Sequence, residues 1–220
     1  MAAPLNDTGI DFCGDATSGN NKPCLGTEPA GQDAHYGRDK AAGGKGFDFT
    51  ALDASGNPTT PSSGTNPHPC VRDNVTGLTW EVKTADGGLH DQNWTYTWFM
   101  TGSPDGNNGT ASGGNCGGTV VAGCDTEKFV AAVNAAGWCG YTDWRMATVK
   151  ELEGIADLGR VSPAIDPTFF PNTPSSYFWS GSPCAGATDN AWSVYFYVGD
   201  AHGYGRYSAF YSRLVRGAGP

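Results

Sequence analysis

The sequence predicts an α+β domain rich in loops, on three observations. Its 220 residues include 33 Gly and 14 Pro, and 17 of the 22 acidic residues are Asp. Asp favours turns and caps, whereas Glu favours helix interiors. Only two segments carry helix start and stop signals. Finally, Trp192, Val194, Phe196 and Val198 alternate with Ser193, Tyr195 and Tyr197, the period of two expected of a half-buried strand.

The elements follow in order. Residues 1–69 show little periodicity, and Ser18-Gly19-Asn20-Asn21 and residues 57–64 are turn chemistry. This part reads as a loop-rich extension packing on the domain, with short strands near Phe47 and Phe49. Residues 70–220 are expected to form the domain proper. Residues 70–82 read as strand, turn at 74–77, strand. Residues 101–123, rich in Gly, Asn and Ser, form a long surface loop, and such length implies function or disorder. The first helix runs from about Asp125 to Ala136, capped by Asp125 or Thr126, with Phe129 and Val133 one turn apart and Gly137 ending it. The second starts at a capping box, Thr148-Val149-Lys150-Glu151. It places Val149, Leu152 and Ile155 or Ala156 on one face and stops by Gly159 and Pro163. Residues 177–180 are a short apolar strand. Residues 199–205, with three glycines, read as an open hairpin loop, and residues 207–215 as the last strand. Trp80, Trp98, Trp138, Trp144, Trp179 and Trp192 are expected in the core. Arg145 is expected in a buried structural pair, with Asp143 or a backbone carbonyl.

Charge and cysteines bound the setting. The net charge of −9 opposes nucleic acid and anionic membranes, and no apolar stretch is long enough to span a bilayer. Met1-Ala2-Ala3-Pro4 reads as the scar of a removed signal. The seven cysteines leave at least one unpaired in a monomer, the expected state. Cys13 with Cys24, and Cys116 with Cys124, bracket short loops that a staple would stabilise. Cys70 with Cys139 is the third expected disulfide, leaving Cys184 free. Zinc is the competing reading, but no C-x2-C or H-x3-H spacing occurs. Disulfides imply an extracytoplasmic compartment, secreted or cell-surface. No metal site and no cofactor are expected.

Four separated motifs carry a resemblance. Cys70-Val71-Arg72-Asp73-Asn74-Val75-Thr76-Gly77-Leu78-Thr79-Trp80-Glu81, Cys139-Gly140-Tyr141-Thr142-Asp143-Trp144-Arg145 with residues 148–152, Phe178-Trp179-Ser180, and Arg213-Leu214-Val215-Arg216-Gly217 resemble the bacterial Lcl C-terminal domain family. Met146-Ala147 stands where that family usually has Leu-Pro. The resemblance implies a C-type-lectin-like fold, of the formylglycine-generating-enzyme branch, with two helices, small twisted antiparallel sheets and long loops. It also implies ligand binding on the last hairpin, by adhesin heads or by proteins diversified by retroelements.

The residues support such a surface. Residues 195–211 hold seven aromatics, five of them Tyr, and Tyr offers contact area and a hydroxyl at low entropic cost. The candidate ligand-binding residues are Tyr195, Tyr197, Asp200, His202, Tyr204, Arg206, Tyr207, Ser208 and Phe210. The competing reading is an ordinary hairpin, where aromatics are common. Randomising the adenines of Asn codons cannot produce Lys, Glu, Gln, Met or Trp, and all 23 of those residues precede Val194. This points to a retroelement-diversified variable protein. The alternative is a fixed-specificity glycan-binding adhesin, which the acidic charge disfavours for sulfated polysaccharide. The partner is thus an unidentified protein or glycan. No enzyme is expected: His90-Asp91 beside two glycines reads as a turn, and no hydrolase, zinc-protease or P-loop motif occurs.

Overall fold

The computed structural model describes residues 5–15, 19–26, 28–36 and 46–217. The Met1–Pro4 segment and Ser18 lie outside the described residues, as do residues 218–220. A small hairpin of β1 (Cys13–Asp15) and β2 (Gly19–Lys22) comes first. Then follow β3 (Phe49–Leu52), β4 (Cys70–Asp73), β5 (Thr79–Glu81), α1 (Thr126–Ala136), β6 (Arg145–Met146) and α2 (Val149–Glu153). The remaining strands are β7 (Tyr177–Pro183), β8 (Asn190–Tyr195), β9 (Asp200–Gly205), β10 (Tyr211–Ser212) and β11 (Leu214–Arg216). One sheet has the order β3-β4-β5-β11-β6, the other β10-β7-β8-β9. Every pairing is antiparallel except β10 with β7. Two helices with two largely antiparallel sheets make this an α+β fold.

The hairpin at residues 70–82 forms as its sequence dictates. Asp73 accepts from the Val75 and Thr76 backbone N–H groups at 2.9 and 3.2 Å, and Gly77 takes a positive φ of 77°. This is turn chemistry in which Asp replaces a backbone acceptor and Gly avoids a Cβ clash. Strand β3, from the segment before residue 69, pairs along the whole of β4.

Helix α1 is capped by Asp125, which accepts from Lys128 N, and ends at Gly137 in the left-handed region. Helix α2 carries the full capping box: Glu151 N–H donates to Thr148 Oγ1 at 3.2 Å, and Thr148 N–H to Glu151 Oε2 at 2.7 Å. It ends at Glu153, well before Gly159. Competing partners end it, for Asp157 N–H bonds to Ala164 and Leu158 N–H to Thr8. Thr148→Ala is expected to lose about 1 kcal/mol, seen as a lower urea midpoint with an unchanged slope. An unshifted midpoint would show that the cap contributes nothing.

The main core gathers Val71, Leu78, Trp80, Leu152, Ile165, Phe170, Phe178, Val194, Phe196 and Val215. Each such side chain contributes about 1.5–3 kcal/mol on burial. A second cluster around Phe129, Val133 and Trp144 encloses the Cys70–Cys139 bond. The long 101–123 loop is held by backbone pairs, Phe99 with Gly109 and Thr95 with Asn115, and by the Cys116–Cys124 bond.

The late strands differ from expectation. Residues 200–205 are strand β9, paired along β8, rather than an open loop. Their glycines provide room: a Cβ on Gly203 would stand 3.0 Å from Cys184 Sγ. Residues 207–215 do not form one strand, for β10 and β11 enter different sheets with buried Arg213 between them. On β8, Ser193 is fully buried while Trp192 is 37 % exposed, the reverse of simple alternation. The β7–β8 register shifts between Trp179 and Pro183, and Trp192 faces side-chain-free Gly203 across the β8–β9 pair. Val198, also expected inward, is exposed in the turn after β8.

Candidate functional site

Strand pairing places the aromatic residues on one face. Tyr195 lies opposite Tyr177 on β7 and Asp200 on β9, while Ser193 lies opposite Trp179 and His202. Directly opposed residues share a face, so Tyr177, Tyr195, His202 and Tyr204 stand together. Phe210 joins them because it exchanges two backbone hydrogen bonds with Tyr96, at 2.7 and 3.1 Å. The other face of the sheet presents Phe178 and Val194 to the core.

The rings form one continuous array. Tyr197 stacks on Tyr195 at 5.6 Å, Tyr195 on Tyr177 at 4.3 Å, and Tyr177 on Phe210 at 5.1 Å. Tyr204 stands edge-on to both Tyr177 and Phe210, at 4.7 and 5.2 Å. These offset and edge geometries are the favourable ones for aromatic pairs. A hydroxyl–hydroxyl bond of 3.0 Å joins Tyr204 to Tyr177. That bond, then burial, pushes Tyr177 up to about 12, so its hydroxyl stays neutral. Asp200 and His202 form a pair of 2.9 Å at the exposed edge of the array. The face therefore offers apolar ring surface, tyrosine hydroxyls and the Asp200–His202 pair.

Of the nine expected binding residues, Tyr195, Tyr197, Asp200, His202, Tyr204 and Phe210 meet on this face. Tyr207 is 76 % exposed but lies in the turn after β9, its ring against Gly205, with Ser208 beside it. Arg206 departs from its expected role. It is 2 % exposed, lies over the Trp98 ring at 4.1 Å, and donates to Asn190 O at 3.1 Å. It also donates to the Asp105 carboxylate and to Asn107 O. Arg206 thus ties the 101–123 loop to the hairpin and presents no charge to a ligand. Its hydrogen bonds, with that of Ser103, hold Asp105 down at about 2. Tyr177, central to the array, is absent from the expected set. Its signal was the alternation of Tyr177 and Trp179 about Phe178 in a segment that reads as merely apolar.

Other candidates are already occupied. Arg145 pairs with both oxygens of Glu151, at 2.7 and 2.8 Å, while Asp143 pairs instead with Arg216. This Arg145 pair borders a cleft of about 870 Å³ whose walls include Met100, Val130, Met146 and Val149, and which shares no residue with the aromatic face. His90 and Asp91 do not act on each other. Asp91 holds the turn through Gly87 N–H and Asn93 N–H, at 2.7 and 2.8 Å. His90 stacks on Trp138 at 3.7 Å and bonds to fully buried Glu81 at 2.8 Å. Glu81 further accepts from Lys83 Nζ at 2.7 Å and Leu214 N–H at 2.9 Å.

The three disulfides are Cys13–Cys24, Cys70–Cys139 and Cys116–Cys124, with Cys184 free and buried. They fit an oxidising, extracytoplasmic compartment. Among the described residues no helix is long and apolar enough to cross a membrane.

Fold and site together define a disulfide-stapled α+β domain whose smaller sheet carries an aromatic outer face. The chain belongs to the Lcl C-terminal domain family, whose model matches residues 69–216. No curated protein and no solved structure matches it.

Proposed function

We propose that this chain is a secreted or surface-displayed ligand-binding protein of C-type-lectin-like architecture, and not an enzyme. Its site is the aromatic face of the β7–β8–β9 sheet. The observation that carries this reading is the continuous array from Tyr197 to Phe210, on the face of the sheet opposite the main core, where Tyr204 and Phe210 rest on a small buried cluster of Trp98, Trp179 and Ala191. Rigid Tyr rings bind with little ordering cost, and central aromatic anchors dominate interface energies. The array draws all but Tyr177 from the segment whose composition suits retroelement diversification. In that reading Arg206 and Arg213, both buried, are constant positions within a variable stretch.

A fixed-specificity glycan adhesin is the second reading, and exposed Trp192 favours it, since sugars stack on exposed Trp. A sulfated polysaccharide would need clustered cations. Arg206 and Arg213 are buried and Arg216 is bound to Asp143.

Two tests separate the readings. A near-copy of the DNA encoding residues 192–216, differing at adenines and lying beside a reverse transcriptase gene, would support diversification. Its absence would leave the adhesin reading. Separately, the domain is screened on a displayed-peptide library and a glycan array. Tyr197→Ala with His202→Ala is expected to lose the peptide hits while stability stays within about 0.5 kcal/mol per exposed site. Hits that survive both changes would remove this face as the site. Salt-sensitive binding to heparin would favour the adhesin.

A further inference from the structure

The N-terminal hairpin holds a second constellation, independent of the aromatic face. Cys13, fully buried in β1, is bonded to Cys24. His35 closes a 3-10 turn, Asp33–His35, and its Nε2 stands 3.3 Å from Cys13 Sγ. A Glu28 oxygen lies 3.5 Å from the same Nε2. One donor atom from each of Cys13, Cys24 and His35 fits within a 4.8 Å span. The backbone is organised to keep these groups together. The Gln32 side chain accepts from Gly14 N–H at 2.6 Å and donates to Gly14 O at 2.8 Å, fixing β1 against the turn. The Glu28 carboxylate accepts from the Leu25 and Gly26 N–H groups, folding the chain back on Cys24.

A disulfide needs neither an imidazole nor a carboxylate beside it. Two thiolates with those neighbours make a tetrahedral metal shell. We propose that Cys13, Cys24 and His35, with Glu28 as the fourth ligand, form a zinc site that opens when the Cys13–Cys24 bond is reduced. Zinc bonds to S, N and O run about 2.0–2.3 Å, so neighbouring ligand atoms of a tetrahedron stand roughly 3.3–3.8 Å apart. The His35–Cys13 and His35–Glu28 separations already fall in that range; the two sulfurs must part, and the Glu28 carboxylate, outside the 4.8 Å span of the other three donors, must swing toward them. Thiolate with imidazole selects zinc among the common divalent ions.

The chemistry balances with a dithiol as reductant. It gives two electrons to the Cys13–Cys24 bond, becomes a disulfide itself and leaves two thiols. Zinc then displaces their two protons to solvent and binds both thiolates, neutral His35 and ionised Glu28. The hairpin thereby keeps one cross-link in either redox state.

Cobalt(II) titration tests this on the full chain in a Cys184→Ser background, before and after treatment with a non-chelating phosphine reductant. The reduced protein is expected to take up one cobalt with the intense visible bands of tetrahedral thiolate coordination, released by equimolar zinc. The oxidised protein is expected to take up none. His35→Ala and Cys24→Ser should each weaken binding by more than about 100-fold, beyond the roughly 10–100-fold typical of groups that only orient a ligand. His35→Cys retains a ligand and should restore binding, which separates coordination from packing. Tryptophan fluorescence on the same samples reports whether each variant is folded. No tetrahedral spectrum in the reduced protein, or a spectrum indifferent to His35→Ala, overturns the proposal.

Discussion

Glu81→Ala is expected to cost roughly 3–5 kcal/mol of folding stability, the range for breaking a buried ion pair from one side. Glu81 is fully buried and is bound by Lys83, His90 and the Leu214 N–H. Its removal strands the Lys83 charge, itself 2 % exposed, in a pocket that cannot hydrate it. Arg213, another fully buried cation, donates to the Glu81 backbone carbonyl at 2.7 Å. Domains of this kind have only about 5–15 kcal/mol to lose, so a urea melt should reveal a large shift. By contrast, Asp143→Ala breaks an exposed pair with Arg216 and should stay within about 1 kcal/mol. Equal effects from the two changes would show that the buried network is not a stabilising element.

The same network makes a pH prediction. Burial raises the Glu81 carboxyl, but the Lys83 charge and the His90 hydrogen bond outweigh it and hold the group at about 2. The unfolded chain has an ordinary Glu near 4.3, about two units higher. Its folded value is depressed, so its stabilisation is complete above the unfolded value and is lost as pH falls toward 2. Urea midpoints of the unaltered protein should therefore fall steeply below about pH 4. In Glu81→Gln that acid-side fall should be shallower, and parallel curves would refute the assignment.

Arg206→Ala is the second large effect, again roughly 3–5 kcal/mol. Four attachments disappear at once: Asp105, Asn107 O, Asn190 O and the Trp98 ring. Lys cannot replace a planar fork that bonds several acceptors and stacks on an indole, so Arg206→Lys should recover little of the loss. Hydrogen exchange should show the 101–110 backbone opening first. If Arg206 instead served a ligand, its removal would leave the melt unchanged and alter binding alone.

Arg206 shows where sequence reasoning stops. A cation among tyrosines on a hairpin looks like a binding residue, and nothing local announces that Asp105, a hundred residues earlier, folds over to neutralise it. The caps of α1 and α2 were legible because capping depends on residues three apart. The disulfides were legible for a related reason: two of them close loops of a few residues, and the third staples motif to motif. Arg145 does form a structural pair, but a half-buried one, and with Glu151, three residues into the helix whose capping box it supports. Ser193 defies alternation because β8 is central and both its faces are covered there, while Trp192 faces side-chain-free Gly203 and stays 37 % exposed. When both faces are covered, polarity no longer reports which side a residue occupies. Tyr177 is not legible in the sequence because an array built across strands leaves no single run there.

The position of β11 has a consequence for how the chain comes to be folded. Among the described residues it is the one strand paired with β6 and sits between β6 and β5, while β10, two residues earlier, forms the edge of the other sheet. The larger sheet cannot join β6 to β5, and the smaller lacks its β10 edge, until residues 211–216 are available. Contacts of such long sequence separation make folding slow, and a chain emerging from synthesis N-terminus first stays open until nearly all of this region has been made. Delay of this kind leaves the core unfinished until the latest of the described strands has been made.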